Sequence, residues 1–292
     1  MGQNGTPDND APGLADCNSE FVSLCRTGSL HSSCFDAADN FGGMTSMPFE
    51  FPTPPPWIAD LPKDDRGFHV PAEAGWESGK PIFSKFSVER TITLVARRSC
   101  AVCGYEMPVG SLVYRGFALS DAIHMRLYER EASHDNAGPL HKSCMLYSAI
   151  VCPYLRTNGR LGKDSVINPG AERGKRAAVM GFRDLGLLIP AGSGQVLSSP
   201  GQQRLPLVAY LELADDIPYR EGAELMDRYL AAVEADAEII DMSKPRLFWT
   251  DSKQEMGALK TILREESRRI MNGKPGRPVM MQGVGGFVTY AV

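Results

Sequence analysis

Four residues near the middle of the chain have the types and the spacing of a metal-binding site. They form two pairs, Cys100 with Cys103 and His141 with Cys144, and Gly104 follows the first pair. Two thiolates separated by two residues can bind one ion while the amides of the turn donate to the sulfurs, and a glycine lets that turn close. Three thiolates and one imidazole fill a tetrahedron without an open position. The set therefore predicts one structural Zn²⁺ per chain.

The segments around these pairs predict how the ligands are positioned. The run from Met145 to Val151 is helix-like, so His141 and Cys144 would share one face of the first helical turn. Residues 111–118 supply a strand between the two pairs. A knuckle, an intervening hairpin and a helix that begins with a ligand pair predict a treble-clef-like module. Three thiolates leave a charge of about −1 on Zn²⁺, and the neighbours expected to offset it are Arg97, Arg98 and Lys142.

Two alternatives to a structural zinc site remain open. In the first, the cysteines are ordinary buried thiols and His141 is a surface residue that never meets them. In the second, the same module hosts a metal-dependent nuclease in which His134 and Asp135 bind a second ion. The helix after His141 offers no further ligand for such an ion, so the structural site is the favoured interpretation.

The other cysteines have looser spacings. Cys152 lies eight residues after Cys144, about 12 Å along a continuous helix, and is predicted to be a buried thiol. Three more lie near the N-terminus with no close ligand pair among them, although a second metal site there, with His31, stays open; they are Cys17, Cys25 and Cys34.

The N-terminal segment 1–46 is predicted to be disordered. It is rich in Gly, Asn, Asp and Ser and has no sustained apolar period. The first segment with structural character follows it, so translation of the natural protein is expected to begin at Met44 or Met47.

The composition is that of an ordinary globular protein. The chain has 292 residues, of which 43% are hydrophobic and 23% charged, and its net charge is −4. No apolar run approaches the roughly 18–20 residues of a membrane span, and no secretory signal is present, so a cytoplasmic location without a membrane partner is expected. Residues 1–77 carry twelve acidic and three basic residues, which leaves a balance of +5 on the rest. That excess suits an anionic partner or a merely solvated surface.

Two segments before the first cysteine pair have ambiguous patterns. Prolines at 52, 54, 55 and 56 impose an extended backbone, which indicates either a packed arm pinned by Trp57, Ile58 and Leu61 or a proline-rich ligand for a partner. The packed arm is favoured. Residues 86–98 favour a strand by propensity but a helix by the spacing of their apolar residues.

The C-terminal part predicts alternating strands and helices. Strand-like runs cover 177–182, 205–213 and 245–250, and the last residues, 284–292, predict a final strand. A helix is predicted over 219–235, with Leu230 on its apolar face. Ser252 and Glu255 form a capping box that opens another helix, whose apolar stripe consists of Met256, Leu259, Leu263 and Ile270.

The partner prediction rests on cations. Domains are predicted at 47–155 and 177–292, joined by a basic connector, 156–176. Nucleic acid is one candidate partner and a protein is another. The candidate phosphate-binding residues are those of the connector and of the end of the last helix: Arg156, Arg160, Lys163, Arg173, Lys175, Arg176, Arg268 and Arg269.

The segment 48–155 resembles an uncharacterised family of short bacterial and phage-encoded proteins. The shared motifs are Trp57, Leu61-Pro62, Asp65-Arg66-Gly67, Cys100-Cys103-Gly104, His141-Cys144 and Cys152-Pro153-Tyr154-Leu155. The resemblance supports the ligand assignment and a start near Met47. It implies no substrate and no activity.

These patterns together predict an α+β protein, with a treble-clef-like zinc module, a small mixed strand–helix region after it and a disordered N-terminus. The expected function is that of a zinc-stabilised binding or interaction protein. A metal-dependent nuclease, or another enzyme with its active site away from the zinc, is the alternative.

Overall fold

The computed structural model describes residues 51–156, 159–160, 172–173, 177–190, 208–281 and 285–292. Several sequence predictions lie outside these residues. They concern the disorder of 1–46, the start at Met44 or Met47, the N-terminal cysteines Cys17, Cys25 and Cys34 with His31, and the connector cations Lys163, Lys175 and Arg176.

The described residues form a mixed α+β structure, as the sequence predicted. The strands are β1 Ala74–Glu77, β2 Lys80–Phe86, β3 Val113–Ala118, β4 Ala132–Asp135, β5 Gly159–Arg160, β6 Glu172–Arg173, β7 Ala177–Pro190, β8 Val208–Tyr219, β9 Pro275–Met281 and β10 Gly285–Ala291. The helices are α1 Pro56–Ala59, α2 Val88–Ala96, α3 Leu119–Tyr128, α4 Lys142–Val151, α5 Pro153–Arg156, α6 Met226–Ala237 and α7 Lys253–Met271, and a 3₁₀ turn covers Gly222–Leu225.

A six-stranded antiparallel sheet lies at the centre, in the order β4–β8–β7–β10–β9, and β3 also pairs with β7. The long strand β7 pairs with β3 through residues 177–182 and with β10 through residues 186–190. Its other edge pairs with β8. Strands from both sides of the predicted basic connector therefore share one sheet, and the described residues 51–156 belong to the same compact unit as the described residues from 177 onward.

The strands between the two ligand pairs do not form the expected hairpin with each other. Strand β3 pairs with β7, and β4 pairs with β8. The ten residues of α3 separate β3 from β4, which is far longer than a hairpin connection of two to five residues. The backbone groups of each strand are therefore satisfied by later parts of the chain.

The proline-rich segment packs as an arm, the favoured of its two interpretations. Trp57, Ile58 and Leu61 are buried. The hydroxyl of Tyr229, on α6, donates to the carbonyl oxygen of Thr53 at 2.6 Å. This contact fixes the extended backbone before α1 against the core.

Local elements show where spacing outweighs propensity. The ambiguous segment 86–98 is helical over Val88–Ala96, and all residues from Arg90 to Ala96 are buried. The strand predicted at 245–250 is wrong, because this segment has no strand pairing. The helix predicted over 219–235 begins only at Met226, after β8 and the 3₁₀ turn. Leu230 is exposed, contrary to its predicted place on the apolar face.

Helix α7 begins and packs as predicted. The hydroxyl of Ser252 accepts a hydrogen bond from the amide of Glu255, which is half of the capping box. Leu259 and Ile270 are buried, and Met256 and Leu263 pack partly buried against the same core. Of the helices that the structure describes, none has the length and apolar character needed to cross a membrane.

Candidate metal centre

Cys100, Cys103, His141 and Cys144 converge and are positioned to hold a metal ion. Their four ligand atoms all lie within 4.8 Å of one another, and all four residues are buried. The Cys103 Sγ lies 3.4 Å from Nδ1 of His141. Zn–S and Zn–N bonds of about 2.3 and 2.0 Å in a tetrahedron separate S from N by about 3.5 Å. The donor set therefore has the chemistry of a metal site, and this sulfur–nitrogen distance matches tetrahedral coordination.

The ring of His141 is oriented for metal binding through Nδ1. Its Nε2 lies 3.3 Å from the carbonyl oxygen of Glu106. A carbonyl can only accept, so this contact is a hydrogen bond when Nε2 carries the proton. In the neutral ring, Nδ1 then keeps its lone pair and faces the thiols. This backbone acceptor is the kind of outer contact that fixes the tautomer of a metal-binding histidine.

The first ligand pair lies in a tight knuckle. The Gly104 amide donates to the Cys100 carbonyl oxygen, and the Cys100 amide donates to that of Tyr105, each at 2.8 Å. The Tyr105 amide also hydrogen-bonds the Cys103 sulfur. Gly104 has φ +77°, in the left-handed region that favours glycine. The sequence signal of a glycine after the second cysteine is thus explained.

Backbone pairing brings the second ligand pair to the knuckle. The Ala101 amide donates to the Pro139 carbonyl oxygen at 2.7 Å. The next residue, Leu140, pairs with the sheet: it exchanges two hydrogen bonds with Tyr114 of β3, at 2.9 and 3.1 Å. The residues just before His141 are therefore held between the knuckle and the sheet.

Helix α4 carries Cys144 in its first turn, and a distant carboxylate holds that turn. The N-cap residue of α4 is His141, and its side chain makes no capping hydrogen bond. Instead Oδ2 of Asp236, near the end of α6, accepts from the amide of Ser143 at 2.7 Å in a buried contact. A carboxylate at a helix N-terminus satisfies a free amide and complements the helix dipole. Asp236 was not found from the sequence, because it lies 93 residues away from Ser143.

Replacing Asp236 with alanine is expected to lower the free energy of unfolding by about 2–3 kcal/mol, because a buried amide loses a charged acceptor. Urea unfolding of the metal-loaded protein measures this loss. Ser143→Ala is the matched control at the same contact: its hydroxyl is buried without a hydrogen-bond partner among the described residues, so its removal should leave stability unchanged or raised. Equal losses in both variants would contradict the capping role.

The segment after α6 covers the knuckle. The Leu247 amide donates to the Gly104 carbonyl oxygen at 2.8 Å. The Arg246 guanidinium lies over the Tyr105 ring, 4.8 Å from its centroid. Lys244 forms an ion pair with Glu106 at 3.3 Å. The segment 245–250 therefore contacts the knuckle through its backbone and through Arg246 instead of joining a sheet, and the Phe248 ring packs against Trp76.

The thiols ionise unequally in the metal-free cluster. Burial opposes ionisation of Cys100, but hydrogen bonds with Cys103 and Cys144 and the nearby His141 bring the pKa of its thiol well below the ordinary value. Burial, followed by the interactions with Cys100, raises the pKa of the Cys103 thiol well above it. Burial likewise raises the pKa of the Cys144 thiol. A metal ion that binds all three as thiolates must displace protons, so its affinity falls as the pH is lowered.

The cations predicted to offset the cluster's charge bind other groups. Arg97 pairs with Glu266 at 2.7 Å, and Lys142 pairs with Asp215 at 2.8 Å. The guanidinium of Arg98 is buried and pairs with Asp184 at 3.0 Å. The structure does not support the predicted role for these three residues. A backbone group that does contact a ligand sulfur is the Tyr105 amide, at Cys103.

His134 and Asp135, the candidate nuclease residues, do not join a metal site. They lie on β4, where Oδ2 of Asp135 accepts from Nε of Arg115 at 2.8 Å. Among the residues that the structure describes, the Cys₃His cluster is the only group of three or more metal-binding side chains. No observation therefore favours the nuclease alternative.

The candidate phosphate-binding residues are dispersed. Arg269 binds inward, since it donates to Glu266 at 2.6 Å and to the Ala96 carbonyl oxygen at 2.7 Å. Arg268 is exposed. The guanidinium of Arg156 lies 5.8 Å from the centroid of the Phe51 ring. Arg160 and Arg173 lie in β5 and β6. A phosphate-binding role for this predicted set stays a prediction.

Comparison with known proteins gives no relative. No protein-family model matches the chain, and neither a curated protein nor a solved structure shows significant similarity to it. The resemblance to phage-encoded proteins stays a prediction, and function has to be argued from the site itself.

Proposed function

We propose that this chain is a zinc-stabilised interaction protein in which Cys100, Cys103, His141 and Cys144 hold one structural Zn²⁺. The observation that carries the proposal is the convergence of four buried ligand atoms within 4.8 Å. Four protein ligands leave no coordination position for a substrate or a water molecule, and burial keeps reactants away. A site of this kind contributes to folding and not to catalysis.

The donor set supports zinc over other metals. Thiolates select zinc, copper(I) or iron–sulfur chemistry, and mixed sulfur–imidazole tetrahedra are typical of zinc. All four described cysteines are free. A cytoplasmic location would suit the site, because a reducing compartment keeps such thiols available as ligands.

The arrangement of the ligands also supports a treble-clef-like description. The glycine-closed knuckle and the helix that begins after His141 are its two characteristic parts. The hairpin between them is the part that differs, because β3 and β4 pair with other strands. We propose the description treble-clef-like for the metal module alone.

Metal analysis of the purified full-length protein tests the zinc proposal. We expect one Zn²⁺ per chain, and we expect a strong chelator to lower the melting temperature sharply, with recovery when Zn²⁺ is added back. Binding free energy at a structural site is folding free energy. Protein that folds without metal, or that keeps its melting temperature after the metal is removed, would overturn the proposal.

A further inference from the structure

One face of helix α7 carries a row of exposed cations. The row consists of Lys253, Lys260, Arg264 and Arg268, all exposed to solvent. At 100° per residue these positions fall within an arc of about 80°, and at 1.5 Å per residue they span about 22 Å. The buried residues Leu259 and Ile270 lie on the opposite side. The cations therefore form a straight stripe that points away from the core.

The stripe has no acidic counterpart in the part of the chain that the structure describes. None of its four cations forms an ion pair with a described residue, although other cations nearby do. Arg97 and Arg269 share Glu266, and Arg97 also approaches Glu265 at 4.0 Å. Glu265 lies beyond the edge of the arc. The i,i+4 neighbours in the row, Lys260 with Arg264 and Arg264 with Arg268, repel each other, and a bound anion would relieve that repulsion.

A glycine lies within the stripe, and no contact with a described residue requires it. Gly257 is exposed in the second turn of α7, and a Cβ built on it would meet no atom within 4 Å. Glycine at an exposed position inside a helix is unfavourable compared with alanine. Because Gly257 has no side chain, a partner's backbone can approach the helix closely between Lys253 and Lys260.

The stripe lacks the residues that other polyanion partners would require. The large exposed apolar residues among the described ones all lie outside α7, so the helix has no exposed apolar face to insert into a lipid surface. Protein interfaces rely on aromatic and apolar anchors, and single-stranded nucleic acid relies on aromatic stacking. The phosphate backbone of a nucleic-acid duplex is a regular polyanion that cations alone can bind.

We propose that α7 binds the phosphate backbone of double-stranded nucleic acid, without sequence preference, through Lys253, Lys260, Arg264 and Arg268. This proposal names the partner of the interaction protein proposed above and rests on that function. It separates Arg268 from Arg269, which the sequence had paired. The proposal includes no contacts with the bases. Phosphate contacts position a protein on the duplex and carry no sequence information.

Four phosphate contacts give a definite salt dependence. The logarithm of the affinity should fall with the logarithm of the salt concentration with a slope of about −3.6, so raising salt from 50 to 200 mM should weaken binding about 150-fold. Two unrelated duplex sequences of equal length should bind alike.

The test compares two double variants of the full chain by fluorescence anisotropy with a labelled DNA duplex. Lys260→Gln/Arg264→Gln removes two stripe cations. Arg183→Gln/Arg228→Gln removes two exposed cations from β7 and α6 and changes the net charge equally. The stripe variant should lose about sixtyfold affinity at 0.1 M salt and about half of the salt slope. The control should stay within about twofold of the unchanged protein.

Zinc content and melting temperature are measured on the same samples. Unchanged duplex binding in the stripe variant, an equal loss in the control, or no duplex binding by the unaltered protein would overturn the assignment of α7 while leaving the zinc centre intact. Absence of zinc in the unaltered protein would overturn the proposed function instead. A stripe variant with zinc and melting temperature retained but binding lost would support the assignment.

Discussion

Cys144→Ser is expected to abolish metal binding and to unfold the protein at ambient temperature. Cys144 is completely buried in the cluster, and a serine hydroxyl does not replace a thiolate as a zinc ligand. Structural Zn²⁺ contributes about 10–16 kcal/mol in small zinc domains, whereas a whole protein is stable by only about 5–15 kcal/mol. Losing even part of the metal's contribution therefore removes most of the stability. Metal analysis together with circular dichroism during urea unfolding measures both effects.

Cys152→Ser provides the matched control. The change is chemically the same and lies at the C-cap of the same helix, but Cys152 is outside the ligand group and only half-buried. We expect the full metal content and a loss of no more than about 1 kcal/mol. Similar losses in both variants would mean that the thiols act as packing groups, and the metal centre would be disproved.

The ligand set could be predicted because its signals are local. Two cysteines separated by two residues, a glycine, and a histidine–cysteine pair at a helix start are each visible within a few residues. The structure shows that the pairs meet through short backbone contacts, such as that between Ala101 and Pro139. The prediction of secondary structure was correct where the apolar period was strong, as in α7.

The groups that complete the site could not be predicted, because they come from distant segments. Asp236 caps α4, and Leu247 bonds the knuckle at Gly104, yet both lie about a hundred residues beyond the ligands. Their sequence context suggested only an amphipathic helix and a strand. A buried carboxylate inside an amphipathic helix reveals its partner only when the tertiary contact is known.

The orientation of the helix-end arginines was within reach of the sequence. The apolar stripe of α7 includes Ile270, and Arg268 lies two residues before it, about 200° away around the helix. Arg269 lies nearer the packed side and binds the Ala96 carbonyl oxygen. Arg268 and Arg269 therefore do not form one basic patch, because adjacent residues point about 100° apart around a helix.

Gly104→Ala is expected to lower the free energy of unfolding by about 2–5 kcal/mol and to weaken metal binding. The residue has φ +77°, which costs an alanine about 1–2 kcal/mol. A Cβ would also overlap the Leu247 carbonyl oxygen and lie 3.0 Å from its carbonyl carbon. Backbone cannot rotate aside as a side chain can, so the covering segment must shift, at about 1–3 kcal/mol. Urea unfolding with and without a competing chelator measures both consequences.

Gly110→Ala separates the two causes. Gly110 has a similar backbone conformation, φ +91°, but a Cβ there would meet nothing within 4 Å. It should therefore show only the conformational cost of about 1–2 kcal/mol and unchanged metal affinity. The difference between the two variants measures the contact between the knuckle and Leu247. If both variants lose the same stability and keep the same metal affinity, the segment after α6 does not support the metal centre, and the coupling between the two is refuted.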